Sequence, residues 1–573
     1  MLKNDYEYIS RKMYRGKYVS YTLRHNNKPI IMDTKRVKEL LASGFKINGL
    51  LLTSDNRIVL RTKGKTTVPA FESYVGDSLR VFTRTAISMV KNNRAFVSEL
   101  ISNIQRFPNY ILSVSGLRNT GKTVGMLCAI AALDLYDSAV FININVNSSK
   151  ELDGRELFEY ISTHFADKKY VFIDEATYIS NFVNSALSYY NNLSVLGTCV
   201  IFSGTNSLAL KLARDSVLYH RTLFTYTTFM PYSDAKSTMN MSFKDYVVNG
   251  GIYEPVTLHT IDETVTYLST SIVDNIISSL NHNTPYINRY KALLNISDEK
   301  LLVIVLTVLL EISFHLIDKP RNGINIKFIS SQLSNSQTTR DTLISIAHSI
   351  LGIKSVTNPT FEEYSATIRA LVDLQLIAPV SNCVNGSDII YYIVNPAMFN
   401  QVVTKLISEF QRLNLLTQPI NMGIKYGFLL ESVVACHLIN ATRYRESTVY
   451  YYREDNKEID IVIRDDTEAL SETPFVYHLL EIKFTSSIDG TVRRTKWLNQ
   501  VTELPDGVIA NRYILYMGDS MTKFNAFSKD YTDISDSERL SVESLNKGTV
   551  LVPVINFISN MDKFIPFGKT ARL

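Results

Sequence analysis

Cysteine is scarce in this chain: Cys128, Cys199, Cys383 and Cys436 are the only four in 573 residues. Their positions share no zinc-ligand spacing, and three sit in apolar runs, where cysteine behaves as a small buried hydrophobe of a reducing compartment. Charge of one sign is also lacking. A net charge of +5 permits a nucleic-acid partner without requiring one, and 45% hydrophobic residues argue against extended disorder. No repeat or low-complexity tract is visible. Residues 1–7, MLKNDYE, lack the apolar stretch of a secretory signal. One hydrophobic run stands out, LLVIVLTVLLEISFHLI at 301–317. As a helix it would reach about 26 Å, short of the roughly 30 Å hydrocarbon core, and it carries Glu311 and His315. A buried helix is expected there, with no membrane span and a cytoplasmic location.

What is present is a phosphate loop. Residues 116–123 read Gly-Leu-Arg-Asn-Thr-Gly-Lys-Thr, the form GxxxxGK(S/T). The apolar run 110–114 precedes it and helix-forming 124–133 follows, so the strand–loop–helix setting the motif needs is complete. Gly116 and Gly121 let backbone N–H groups turn inward around a phosphate at a helix N-terminus, with Asn119, Thr120 and Val124 in the same cradle. Lys122 then reaches the β- and γ-phosphates, and the Thr123 hydroxyl ligates Mg²⁺. The expected ligands are ATP and Mg²⁺.

Downstream, the apolar strand 170–173 ends in Asp174 and Glu175. Asp174 is expected in the Mg²⁺ shell and Glu175 as the group that polarises the attacking water. The next central strand, 198–202, delivers Ser203 and Thr205 to the edge where ligands of open parallel sheets sit, so either can sense the γ-phosphate or align water. Arg214 and Arg221 are the arginines considered as fingers for the transferring phosphoryl group, with Arg221 preferred.

A chain this long exceeds one core, and the predicted class is multidomain α/β in four regions. Residues 1–75 form a small α+β module, with a helix near 34–41 and a strand at 58–60, suited to docking a protein partner. Residues 76–285 alternate strands and helices in the manner of a parallel-sheet P-loop ATPase. Residues 286–415 are mainly helical. Their end (helix 365–376, strand 377–380, turn 382–388, strand 389–393) outlines a winged helix, with a helical lid of the ATPase as the equal alternative. Residues 416–573 read as an α/β domain with strands at 459–463, 476–482 and 512–516.

That last region carries Glu458 and Asp460 on one strand and Glu481 and Lys483 on the next. Period-2 geometry puts Glu481 and Lys483 on one face, and Glu431, on a helix, adds a third carboxylate. This is the arrangement of the PD-(D/E)XK nucleases, whose fold is restriction-endonuclease-like. In that reading Asp460, Glu481 and Glu431 hold Mg²⁺ or Mn²⁺ while Lys483 positions water or stabilises the pentavalent charge. The alternative is the same fold with its acids in structural salt bridges. Trp497 follows Arg493, Arg494 and Lys496, either a solvated helix face or a stretch that tracks a phosphate backbone and stacks a base.

The loop GLRNTGKT, with FIDEAT (172–177), IFSGTNSLAL (201–210), HRTLFTYTTFMPYS (220–233) and SFKDYVVNGG (242–251), resembles a prokaryotic ATPase group of the AAA+/STAND superfamily. Its members pair the ATPase with a C-terminal domain of unknown function, DUF4143, related to the nuclease fold above. The similarity runs from about residue 85 to 520 and includes Asn395-Pro396 in the linking region. Three departures stand out: Arg221 follows His220 where the family has glycine, the family's proline is displaced to Pro255, and no proline precedes Asp460. The whole chain is then read as an ATPase that couples nucleotide state to DNA binding and metal-dependent cleavage. The alternatives are a nucleotide-dependent binding switch with an inactive nuclease fold and a plain ATPase that remodels another protein. DNA is the expected partner, and self-assembly into a homo-oligomer a further expectation.

Overall fold

The computed structural model describes residues 6–14, 17–25, 28–42, 47–48, 50–52, 58–60, 71–88, 94–144, 152–179, 185, 197–215, 218, 221–251, 258–280, 285–317, 336–353, 356–414, 422–443, 445–454, 457–465, 475–487, 497–518, 524–525, 530–531 and 549–565. Arg493, Arg494, Lys496, Pro255, His220 and the side chains of Arg214 and Trp497 lie outside the described residues. The chain divides into two compact units, Met1–Thr227 with Asn275–Arg289, and Thr228–Asp274 with Tyr290–Leu573.

The first unit holds two sheets. Strands β1 (Tyr6–Tyr14), β2 (Lys17–His25), β3 (Lys28–Asp33), β4 (Ile47–Asn48), β5 (Leu50–Leu52) and β6 (Ile58–Leu60) form one of order β3-β2-β1-β4-β5-β6, beside the helix Thr34–Ala42. The second comprises β7 (Phe71–Val75), β8 (Ile111–Ser115), β9 (Ala139–Ile144), β10 (Tyr170–Asp174), β11 (Cys199–Gly204) and β12 (Thr222–Tyr226), in the order β12-β8-β11-β10-β9-β7. Four of its five pairings are parallel; at the edge β7 runs antiparallel to β9. Both faces are covered, so the strands read as continuous apolar runs whose alternate residues serve opposite layers. Leu112, Val114, Phe141, Phe172 and Ile201 join one core with Leu79, Phe96, Leu100, Met126 and Leu127 of the flanking helices. Ile111, Val140, Ile142, Val171, Ile173, Val200 and Phe202 join the other, with Leu157, Phe158 and Ile161. Because β8, β11 and β10 are parallel, everything that follows them emerges at one edge.

The second unit contains a seven-stranded mixed sheet: β13 (Ile377–Asn382), β14 (Ile389–Ile393), β15 (Ser447–Glu454), β16 (Lys457–Asp465), β17 (Phe475–Lys483), β18 (Gly507–Tyr516) and, after the short hairpin β19 (Phe524–Asn525) and β20 (Asp530–Tyr531), β21 (Thr549–Pro553). Its order is β14-β13-β15-β16-β17-β18-β21. The β13–β14 hairpin expected as the wing therefore forms, but as an edge of this sheet. Ser381 and Asn382 pair with Tyr450 and Tyr451 of β15, and the sheet runs across position 415. The Gly250–Gly251 pair of the SFKDYVVNGG stretch sits against Asn395-Pro396. Ala397 N–H donates to the Gly250 carbonyl at 3.1 Å. Gly251 has φ +101°, and a Cβ there would lie 2.8 Å from Asn395 Nδ2, so only glycine fits.

The hydrophobic run lies in the helix Asp298–Ile317, with Leu301, Val303, Ile304, Val305, Leu306, Leu309 and Leu310 fully buried in this unit. Among the described residues no helix is long and apolar enough to cross a membrane. Glu311 interrupts the run because it has partners: Arg340 at 3.3 Å, His315 at 3.7 Å and the Tyr364 hydroxyl. Burial opposes its ionisation, but His315 and Arg340 outweigh that and hold its carboxyl below the usual glutamate range. A depressed folded-state pKa contributes stability above the unfolded value, near 4.3, and loses it as pH falls through the lower folded value. Glu311→Gln should therefore cost about 1–2 kcal/mol at neutral pH and less below pH ~4. Thermal melts from pH 7 to 3 check this; an equal deficit at every pH would refute the ionic role.

Candidate nucleotide-binding site

The phosphate loop leaves β8 and enters the helix Lys122–Ala132 with Gly121 at φ +81° and Asn119 at φ +61°. Those left-handed turns point the loop's backbone inward. Glycine takes the first without strain, and asparagine tolerates the second. Lys122 Nζ donates to the Gly116 carbonyl at 3.0 Å and the Leu117 carbonyl at 2.8 Å, which places the ammonium inside the curve of the loop. Burial lowers its pKa, against the charges of Glu175 and Asp174, which raise it.

β11 lies between the loop strand β8 and the acidic strand β10, so Ser203 and Thr205 stand between the two halves of the site. Thr123 Oγ1 donates to Asp174 Oδ2 at 2.6 Å, and the Ser203 hydroxyl donates to Asp174 Oδ1. Burial, then the neighbouring Glu175 charge, raises the Asp174 pKa despite these hydrogen bonds. A cation here would favour the ionised form. Glu175 sits in the left-handed region, φ 58° and ψ 33°, an unusual conformation for glutamate of the kind concentrated at functional sites. One of its oxygens, Oε2, accepts from the Thr205 backbone N–H at 3.0 Å and from Thr205 Oγ1 at 2.6 Å.

A cavity of ≈ 470 Å³ is lined by Arg118, Asn119, Gly121, Lys122, Thr123, Val124, Glu175, Tyr178 and Thr205, a volume ordinary for a small-ligand site. Seven of these nine are expected from sequence; Arg118 and Tyr178 are added by the structure. Thr120 lies behind the cavity, its hydroxyl bonded to the Leu117 carbonyl at 2.9 Å and 2.6 Å from Thr227 Oγ1. Buried Arg94 braces the loop from below, donating to the Thr120 carbonyl at 2.6 Å and the Thr227 carbonyl at 3.0 Å. Buried Asn275 holds the Thr205 carbonyl at 2.5 Å. Neither Arg94 nor Asn275 lies near a motif, and no sequence signal marked them.

Arg221 is not brought to this cavity. Its carbonyl accepts from Ile111 N–H at 2.9 Å, at the start of β8, whereas the phosphate loop follows the end of that strand. Five residues of extended chain, about 16 Å, separate the two edges, because a residue before a parallel strand lies opposite one after it.

The Thr123 hydroxyl and Asp174 carboxylate are hard oxygen donors of the kind Mg²⁺ takes alongside substrate phosphates, so the residues fit that ion. Among the described residues no group of three or more His, Cys, Asp or Glu side chains is placed to hold a metal. In the second unit, the β16–β17 register pairs Ile461 with Leu480, which sets Asp460 and Glu481 opposite each other one step further on. Asp460 Oδ2 accepts from Ile482 N–H at 2.8 Å, and Lys483 is ion-paired with Glu481. Glu431 accepts from the Tyr392 hydroxyl at 2.9 Å. Burial, followed by the Glu431 charge, pushes that phenol well above its usual range, so it stays a donor.

These features define a P-loop domain with a site of the size and donor set that suit a nucleotide. A family model described as AAA domain matches residues 108–233, and one described as domain of unknown function DUF4143 matches residues 426–534. The chain thus has a stretch similar to AAA domains, followed by one similar to DUF4143 domains. Solved structures with some likeness include a DNA replication initiation factor (12% identity, 51% of this chain and 88% of that one, TM-score 0.20). Two others are the Orc1 protein of Aeropyrum pernix in complex with DNA (11%, 56% and 94%, TM-score 0.19) and PCH-2 of C. elegans (14%, 48% and 69%, TM-score 0.17). Superpositions this loose say nothing further about the chain. No curated protein matches it.

Proposed function

We propose that this chain hydrolyses ATP and uses its nucleotide state to govern nucleic-acid binding by the DUF4143 region. The observation that carries the hydrolytic half is the single cavity shared by Lys122, Thr123, Glu175 and Thr205, with Asp174 bonded to Thr123. Lys122 neutralises charge on the β- and γ-phosphates, and the loop's N–H groups orient them. Thr123 and Asp174 would hold Mg²⁺, which when bound neutralises phosphate charge. Glu175 takes a hydrogen bond from the attacking water, and Thr205, bonded to that carboxylate, fixes its direction. DNA is the first partner to test. Its binding should change at least several-fold between ATP and ADP and fall steeply with salt; equal affinity with both nucleotides would remove the coupling.

A second reading, metal-dependent DNA cleavage, is favoured by one observation. Asp460 and Glu481 face each other while buried, and two like charges so placed invite a cation. Lys483 already neutralises Glu481, which supports the non-cleaving switch instead. With Mg²⁺ or Mn²⁺, cleavage that Asp460→Ala and Glu481→Ala each abolish, with ATP turnover unchanged, would establish the second reading. No cleavage of linear, branched or single-stranded DNA leaves the switch.

A further inference from the structure

We propose that Arg118 acts as an arginine finger in cis, contacting the terminal phosphoryl group from within the phosphate loop itself. This rests on the ATPase reading above. The loop's inner residues divide by environment: Leu117 and Thr120 are buried, anchoring the loop, whereas Arg118 and Asn119 line the cavity with Lys122 and Thr123. The Arg118 guanidinium is aimed at the hydrolytic wall. Its Nη2 donates to the Tyr178 hydroxyl at 2.8 Å, and that hydroxyl lies 3.3 Å from Thr205 Oγ1, the group that donates to Glu175 Oε2 at 2.6 Å. Arg118, Tyr178, Thr205 and Glu175 therefore form one hydrogen-bonded row along the cavity. Among the residues lining that cavity Arg118 is the one arginine, and Arg221 sits at the opposite sheet edge.

The chemistry gives the guanidinium a task. The water oxygen bonds to the γ-phosphorus, and the water proton passes to Glu175. The bond from phosphorus to the β–γ bridging oxygen breaks, and its electron pair leaves on ADP; ADP and phosphate account for every atom. Negative charge is spread over the equatorial and leaving oxygens during transfer, and a planar fork of donors matches it better than a second ammonium. Exchanging a bond to a neutral phenol for bonds to phosphate oxygens replaces an ordinary hydrogen bond with charge-assisted ones. Tyr178 then serves as the rest position that keeps Arg118 beside Glu175.

The test uses the full chain and the variants Arg118→Ala, Arg118→Lys and Tyr178→Phe, each checked for a wild-type melting profile. Phosphate release, Mg·ADP binding and trapping of ADP with aluminium fluoride, which mimics the transferring phosphoryl, are measured together. Arg118→Ala should lose about 10³-fold in kcat and fail to trap the fluoride complex while binding Mg·ADP within a few-fold of wild type. Arg118→Lys should recover only a minor part of the rate and fold normally should the alanine variant not do so. Tyr178→Phe should keep trapping. Turnover by Arg118→Ala or Arg118→Lys close to wild type, or loss of Mg·ADP binding with the rate, would overturn the assignment. If wild type itself releases no phosphate, the ATPase reading falls, and this inference with it.

Discussion

Glu175→Gln should bind ATP and keep it, with turnover lowered about 10²–10⁴-fold. The substitution is isosteric, and the glutamine side-chain oxygen can still accept from the Thr205 N–H and hydroxyl, the two donors now on Glu175 Oε2. The left-handed turn at residue 175 and the Thr123–Asp174 bond need no carboxylate at this position, so the nucleotide site persists. What disappears is the charge that polarises water. Chromatography of protein incubated with Mg·ATP should recover stoichiometric ATP from the variant and ADP from wild type. Wild-type turnover in Glu175→Gln would show that a different residue orients the water.

Lys122→Ala should lose binding as well as turnover. Its ammonium lies within the loop's own curve, 3.0 Å and 2.8 Å from two loop carbonyls, and it is the one lysine among the residues lining the cavity. Hydrolysis should fall below detection, and affinity for Mg·ATP by at least about 10-fold, the equivalent of roughly 1.4 kcal/mol. The contrast separates the two roles: one variant holds ATP without cutting it, the other scarcely holds it. Tight binding by Lys122→Ala would mean that the loop's N–H groups suffice.

Much of this site was legible because its parts lie at the ends of apolar strands. The runs at 110–114, 139–143, 170–173 and 199–202 became β8, β9, β10 and β11 within a residue or two, and the C-terminal edge of a parallel sheet then collected Lys122, Thr123, Asp174, Glu175 and Thr205. Arg221 lies apart from them for the same geometric reason: it precedes its strand. Arg94 and Asn275 were illegible because each works through a backbone carbonyl far away in sequence, and a carbonyl leaves no mark in composition. The wing-like hairpin does form as strand, turn and strand. Its partner strand β15 begins 54 residues after the hairpin ends at Ile393, and local pattern carries no information about such pairing. The strands β1, β2 and β3 had no such apolar runs to announce them.

The most direct measurement is phosphate release from ATP by the purified full chain, with Mg²⁺ and with the metal chelated, beside equilibrium binding of Mg·ATP. A P-loop ATPase built as described should bind Mg·ATP, release phosphate only when Mg²⁺ is present, and lose that release in Lys122→Ala. A chain that neither binds Mg·ATP nor releases phosphate, or one whose release is the same in Lys122→Ala, would contradict it.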